Sequence, residues 1–586
     1  MKLDDLNSDI LEHIISLVDS LSVSHCSQSL TRFPQLHCYS RNTIFSVLRV
    51  NRRLHDASLP FVYRILTFDF STKSLPNDPA SLRSPQARID NFLALDCEHL
   101  VFRAVRKVVV RSSPSPSFSP TLNEYKWITF VEVISRIKNL REIVFDCGER
   151  FPPTLLDTLH RSHPSSHLRI RNWTRLSADT RCGDPGEEAL ARSPCLRALH
   201  AVVYSGGRPS DFTIPAFIRI ISLAPNIDSV ALETHPSSLG GVFSVTDEEQ
   251  EEKIRERRRF DARSAIVKDL KDISWDHLEL RTMLQWTEFC NLSRLQTLVV
   301  GNLDCDVLRH CTTNFTFNEL KHLSFRSSIY STSLGMLSPE EFESTVMDFL
   351  WSLPPLESLT ITAGGSRIDL LRLLTRHGRT LRRLSLHDVE SAFRKRCSAL
   401  TLEQVEALRV GAPSLEYLEL DIDRTRGGSW EAEFYSLISD FSQLVRIAFF
   451  YDIGLHVIEE PLEVRKTYAR RYFPADSSFG EDVWRAVQPK GADPRHSRLE
   501  ELVLHMGEVG GRSAGHWYYG QEWMQYGEAA RQTVCVRRSE RDDQRATFST
   551  VVTGPGCTLD AFTTLTEELD AAASLTLPSD TSDDGS

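Results

Sequence analysis

His160, His163 and His167 sit close enough in sequence to raise the question of a metal site, since imidazoles at such spacing are common zinc ligands. Pro164 breaks any helix that would align the three, and no nearby Cys or carboxylate completes a set, so the stretch reads as a solvated loop. Other chemistry is equally hard to find. The sequence has no G-x-x-x-x-G-K-[ST] or G-x-G-x-x-G loop to cradle phosphate, and neither a G-x-S-x-G elbow nor an H-E-x-x-H helix. No catalytic, cofactor-binding or metal-binding residue is assigned, no cofactor is expected, and the chain reads as a non-enzyme. Twelve cysteines run from Cys26 to Cys557 without a C-x-x-C pair, and several, such as Cys147 and Cys195, lie in apolar segments. They read as buried reduced thiols, not as a disulfide framework.

Bulk properties narrow the partner instead. The net charge of −11 over 586 residues, with no basic domain, argues against a nucleic-acid partner. No apolar run approaches the roughly 20 residues that span a bilayer, so no membrane partner is expected. Asp4 and Asp5 stand where a secretory signal carries positive charge, which points to a cytoplasmic or nuclear protein. At this length one compact core is not enough, so the chain holds several domains or a repeat array.

A repeat is visible. Leu415, Leu418 and Leu420 follow L-x-x-L-x-L, and the pattern returns at Leu295/Leu298/Val300, Leu320/Leu323/Phe325, Leu356/Leu359/Ile361, Leu381/Leu384/Leu386, Leu444/Ile447/Phe449 and Leu499/Leu502/Leu504. Weaker copies precede them at Val105/Val108/Val110, Leu140/Ile143/Phe145, Leu196/Leu199/Ala201 and Ile227/Val230/Leu232. From Leu295 to Leu444 the copies lie 25, 36, 25, 34 and 29 residues apart, the self-similarity of stacked units.

Between the copies run capped helices. Ser338, Pro339 and Glu341 form a capping box with proline at the first helical position, ahead of Phe342, Val346, Phe349 and Leu353 on one face. Pro354 and Pro355 end that helix. Thr401 and Gln404 form a second box, and Gly411 with Pro413 closes its helix. Each unit is therefore strand, turn, helix, turn. Alternation along a strand points Leu418 and Leu420 toward the helix and Tyr417, Glu419 and Asp421 the other way.

Residues 100 to 510 thus resemble the leucine-rich-repeat family, although the ninth position of these copies is never the Asn or Cys of its longer consensus. The resemblance implies a curved α/β solenoid with a parallel inner sheet and outer helices, and an inner face that binds a protein target. Substrate-binding candidates on that face are Arg326, Thr360, Arg383, His387, Tyr417 and Glu419, beside His322, Ser324, Ser358, Thr362, Ser385 and Asp421. Their mixed sign suits a protein or peptide better than a phosphate backbone.

The first 70 residues differ. Ile10, Ile14 and Leu17 with Leu11, Ile15 and Val18 make a helix apolar over most of its girth; Ile44, Leu48, Val50 and Leu54 follow, then Leu59-Pro60-Phe61-Val62-Tyr63-Arg64. A leading Leu6, the Ile-Leu pair, a Val-x-Arg-x-Leu helix and the Leu-Pro-x-x-Tyr-Arg exit resemble an F-box, with Asn7 where that family usually has proline, Leu54 where it often has tryptophan, and residues 19 to 42 as an insertion. The resemblance implies docking on a Skp-family adaptor of a cullin-RING ubiquitin ligase through Leu6, Ile10, Leu11, Ile14 and Ile15. Taken with the repeats, the chain resembles the fungal-type F-box and leucine-rich-repeat proteins. A helical cap over the first repeat is the alternative reading, which makes the chain a non-ligase interaction scaffold.

The expected organisation is a helical F-box-like domain at 1–70, a solenoid at 71–510 with insertions near 111–120 and 236–272, a C-terminal cap at 511–557 and an acidic tail at 558–586. Residues 247–259 switch from acidic to basic as a dipole-matched surface helix does, with a nuclear-localisation or partner patch as the other reading. His516, Trp517, Tyr518, Tyr519, Trp523 and Tyr526 suit the cap, and binding anchors otherwise. The stretch 111–120 reads as flexible, and the tail, with seven acids and no Lys or Arg from Thr558, as disordered.

Overall fold

The computed structural model describes residues 62–70, 85–112, 124–148, 150–173, 185–205, 213–236, 268–276, 280–287, 290–327, 330–331, 335–336, 338–362, 368–388, 400–422, 428–451, 477–488, 498–506, 532–539 and 547–553. It divides into two compact units, Met1–Glu233 with Gly241–Lys268, and Thr234–Gly240 with Asp269–Ser586. The F-box-like helices, the acidic-to-basic run, the aromatic cluster at 516–526 and the acidic tail lie outside the described residues.

In the first unit strands β1 (Ile65–Asp69), β2 (Lys107–Arg111), β3 (Glu142–Asp146), β4 (His167–Trp173), β5 (Leu196–Ser205) and β6 (Ser229–Pro236, as far as Glu233) follow one another in sheet order. Helices α1 (Pro85–Leu93), α2 (Leu100–Ala104), α3 (Glu124–Arg136), α4 (Pro153–Ser162), α5 (Pro185–Ala191) and α6 (Thr213–Leu223) fall between them. β1 to β5 pair parallel, and the register aligns Leu66, Val108, Ile143 and Leu168 in one row and Phe68, Val110, Phe145 and Ile170 in the next. Both rows are buried, as the alternation requires. β4 is a rung that the sequence hides, because exposed Ser165 stands where its first leucine belongs.

The three histidines are not a solvated loop. α4 stops at Ser162 ahead of Pro164; His160 lies in its last turn, His163 caps it and His167 opens β4. His163 is buried with Nε2 3.0 Å from the Ile134 carbonyl of α3, and burial pushes its pKa below the ordinary imidazole range. His160 Nε2 lies 2.8 Å from Ser193 Oγ. The end of the helix places His160 and His163, and the strand that follows places His167.

In the second unit the order is β7 (Asp272–Trp275), β8 (Thr297–Leu303), β9 (His322–Ser327), β12 (Ser358–Thr362), β13 (Arg383–His387), β14 (Tyr417–Ile422), β15 (Arg446–Tyr451), β16 (Glu501–Met506), β17 (Gln532–Ser539) and β18 (Thr547–Thr553), with β10 (Tyr330–Ser331) and β11 (Gly335–Met336) forming a separate hairpin. Pairing is parallel from β7 to β16 and antiparallel for β16–β17 and β17–β18. Helices α7 (Leu280–Thr287), α8 (Cys305–Asn314), α9 (Pro339–Ser352), α10 (Leu370–His377), α11 (Leu402–Gly411), α12 (Ser429–Ser439) and α13 (Ser477–Ala486) separate the strands.

Register turns the rungs into continuous ladders. Ile273, Leu298, Leu323, Leu359, Leu384, Leu418, Ile447 and Leu502 form one row, and Trp275, Val300, Phe325, Ile361, Leu386, Leu420, Phe449 and Leu504 the other. All are buried, each by itself contributing about 1.5–3 kcal/mol of transfer free energy. Leu270, Ile273 and Trp275 add a rung that the sequence reading did not pick out, with Leu270 inside the expected insertion at 236–272 and the strand at its far edge. One carbonyl before each strand accepts two N–H groups of the next unit: Lys271 from Gln296 and Thr297, Gln296 from Lys321 and His322, and so on through Lys321, Glu357, Arg382, Glu416 and Val445. This repeated fork locks the register, because a slip of one residue breaks every fork and turns the leucines outward.

The helices start where their caps dictate. Both capping boxes form, Ser338 with Glu341 and Thr401 with Gln404. Asp304 and Asp369 cap α8 and α10 through bonds from Val307 N at 2.9 Å and Arg372 N at 3.0 Å. α10 ends on His377, whose Nε2 lies 3.0 Å from the Leu350 carbonyl of α9 while its Nδ1 accepts from Leu356 N at 3.2 Å, the same helix-end device as His163.

Candidate functional site: the open strand face of the second unit

The strand positions between the ladder residues lie opposite the helices and form an open face. Along β9, β12, β13 and β14 this face carries His322, Ser358, Arg383 and Tyr417 in one register row and Ser324, Thr360, Ser385 and Glu419 in the next. Arg326 is paired with Thr362 and Thr362 with His387 in a third. The six candidates therefore fall on one sheet: Arg383, His387, Tyr417 and Glu419 on two adjoining strands, Thr360 one strand away and Arg326 two.

Local packing fixes several of them. The Arg383 guanidinium lies 4.5 Å from the centroid of the Tyr417 ring, a cation–π contact. His387 Nδ1 is 2.6 Å from Asp421 Oδ1, and the other carboxylate oxygen accepts from Asp388 N at 2.6 Å. The His387 imidazole stacks on Phe450 at 3.9 Å between centroids, and Phe450 stacks on His505 at 4.6 Å. His387 and Ser385 are buried, so on this face they act as packing residues while Tyr417, Glu419, Thr360 and Arg383 keep partial exposure.

Three further strands belong to the face. Arg446, Glu501 and Arg537 continue the Tyr417 row onto β15, β16 and β17, and Ala448, Val503 and Cys535 continue the Glu419 row. Arg537 Nε donates to Glu501 Oε1 at 2.7 Å. Arg446 Nε lies 3.0 Å from Glu501 Oε2 but off the hydrogen-bond axis, so charge and not a directed bond holds it. Burial raises the Cys535 thiol to about 11, with Glu501 acting in the same direction, which leaves it protonated and unreactive at neutral pH. Burial also lowers His322, opposed by Glu357. The sequence contained the signal for β15 and β16, since their rungs are clear; β17 pairs antiparallel and repeats nothing.

Such a face offers hydrogen bonds, rings and ion pairs of both signs, and so recognition chemistry. Among the described residues no group of three or more His, Cys, Asp or Glu side chains gathers as metal ligands would, and no helix is long and apolar enough to cross a membrane. Leu6, Ile10, Leu11, Ile14 and Ile15, the adaptor-facing candidates, lie outside the described residues.

The class defined by the registered ladders is an α/β repeat protein built on a leucine-rich strand, with an open face suited to protein interaction. No family model matches the chain, and no curated protein matches it. Among solved structures it is similar to the leucine-rich repeat-containing protein LegL7 from Legionella pneumophila, at 10% identity over 73% of this chain and 99% of that one, with a TM-score of 0.24. The fold assignment rests on the strand registers and not on that likeness.

Proposed function

We propose that the chain is a protein-interaction scaffold whose open face holds a protein target, and that it serves as the substrate-recognition subunit of a cullin-RING ubiquitin ligase. The observation that carries the scaffold is the sheet of β7 to β16, in which buried ladders hold a row of polar, aromatic and charged side chains at strand spacing. The ligase role is supported by the F-box resemblance of residues 1–70. In it Leu6, Ile10, Leu11, Ile14 and Ile15 dock a Skp-family adaptor, Arg326, Thr360, Arg383, His387, Tyr417 and Glu419 belong to the target-binding face, and the chain has no chemistry of its own. Its contribution to ubiquitin transfer is proximity: a bound target lysine gains effective concentration near the conjugating enzyme. Its place is then the cytoplasm or nucleus.

The test is co-purification with a Skp-family adaptor, wild type against Ile10→Asp/Ile14→Asp, with circular dichroism showing that both fold. Binding lost in the double variant supports the receptor. A folded wild type that does not bind overturns it and leaves the scaffold with a helical cap.

A further inference from the structure

The strand order ends on β18, and the bonding of the last three strands fixes which of its peptide groups look outward. Arg538 N donates to the Glu500 carbonyl at 3.1 Å, so Arg538 and, by alternation, Val536 and Val534 turn their peptide groups toward β16. Arg537, Cys535 and Thr533 therefore turn theirs toward β18, where they lie opposite Ser549, Val551 and Thr553. The N–H and C=O groups of Phe548, Thr550 and Val552 then point away from β17. Among the described residues no strand pairs with β18 on that side.

β18 lacks the features that keep an edge strand solitary, which are commonly a lysine, a proline or a bulge. Residues 547–553 read Thr-Phe-Ser-Thr-Val-Val-Thr, with no charge, proline or glycine, and their register with β17 runs through seven pairs without a shift. The edge is also firmly backed. A Cβ on Gly480 of α13 would stand 2.7 Å from Val534 Cγ1, 3.0 Å from Val536 Cγ2 and 3.7 Å from Thr550 Cγ2. A strand rich in β-branched residues and held against a helix is a template for one more strand.

The sequence of this edge matches itself. Antiparallel pairing about a two-fold axis at Thr550 sets Phe548 opposite Val552 of the second copy, Thr550 opposite Thr550 and Thr547 opposite Thr553. Aromatic with β-branched and threonine with threonine are favourable cross-strand pairs, and no like charges meet. We propose that β18 docks a second copy of this chain, the two β18 strands pairing antiparallel through the outward peptide groups of Phe548, Thr550 and Val552. Pairing about a two-fold axis uses both β18 edges and leaves none, so it gives a closed dimer and not a fibre. Seven residues make a short interface, so the dimer is reversible and separates on dilution. The inference does not depend on what the open face binds.

The test uses the full chain, followed by light scattering after size exclusion over a series of concentrations, and by hydrogen exchange read residue by residue. The chain runs at twice its monomer mass when concentrated and at the monomer mass when dilute. Thr550→Pro removes an N–H that points away from β17, so the β17–β18 hairpin keeps its bonds while the dimer loses one from each copy. With folding shown by circular dichroism, this variant dimerises about thirtyfold more weakly. In the wild type the amides of Phe548, Thr550 and Val552 exchange slowly in the dimer and quickly on dilution, whereas those of Ser549 and Val551, bonded to β17, stay protected throughout. Where Thr550→Pro does not fold, the wild-type exchange pattern decides. A monomer at every concentration overturns the proposal, as does a dimer that folded Thr550→Pro leaves intact. Protection of Phe548, Thr550 and Val552 that ignores concentration also overturns it, because the edge is then covered within its own chain.

Discussion

His387 on β13 and Asp421 on β14 meet with 2.6 Å between Nδ1 and Oδ1, although each belongs to a different repeat unit. The carboxylate also accepts the Asp388 N–H, so one side chain ties together the ends of two rungs. Removing it leaves a buried imidazole and a backbone N–H without that acceptor. Asp421→Ala is therefore expected to destabilise the second unit by about 2 kcal/mol, read as a lower urea midpoint at unchanged slope. A change below about 0.5 kcal/mol, typical of exposed substitutions, contradicts the role given to this pair.

His377 predicts a pH dependence. It is buried between the Leu350 carbonyl and the Leu356 N–H, an arrangement that fits only the neutral ring, and burial lowers its pKa to about 4. The unfolded chain binds this proton near pH 6.5, so stability from this residue is complete above pH 6.5 and is lost as pH falls toward 4. The loss over that window is about 3 kcal/mol. His377→Gln, which does not titrate, loses less stability than wild type between pH 7 and 4; identical pH profiles of the two proteins contradict the assignment.

The ladder makes a third prediction. Leu384 is fully buried in the row between Leu359 and Leu418, whereas Leu371 on α10 is 64% exposed. Leu384→Ala costs about 2–5 kcal/mol through lost burial and the cavity left behind, and Leu371→Ala stays within about 0.5 kcal/mol. Equal costs at the two sites, measured by urea unfolding, contradict the division into ladder and helix surface.

Much of this was legible because a leucine ladder writes its own period. The spacing of Leu418 and Leu420, the two capping boxes and the alternation that turns Tyr417 and Glu419 outward are local rules, and the structure obeys them. What escaped was set by neighbours. Ser165 and Trp275 disguise the β4 and β7 rungs: Ser165 is exposed where a buried leucine is expected, and Trp275 is a buried bulky residue in a row of Val, Leu, Ile and Phe. The metal-like spacing at His160, His163 and His167 concealed a helix end whose buried partner, the Ile134 carbonyl, lies on α3 in the preceding repeat. The burial of His387 follows from Phe450 two strands away, and no local pattern shows that.

The central claim is that the target sits on the open face of the strands of the second unit. It is tested most directly by placing a photo-cross-linking amino acid in the full chain at Thr360 or Glu419, on that face, and at Leu371 or Val410, on the helix side. In cells the first pair is expected to give a discrete covalent adduct on irradiation and the second pair none. Adducts from Leu371 or Val410 with none from Thr360 or Glu419 contradict the account and move the interaction to the helices.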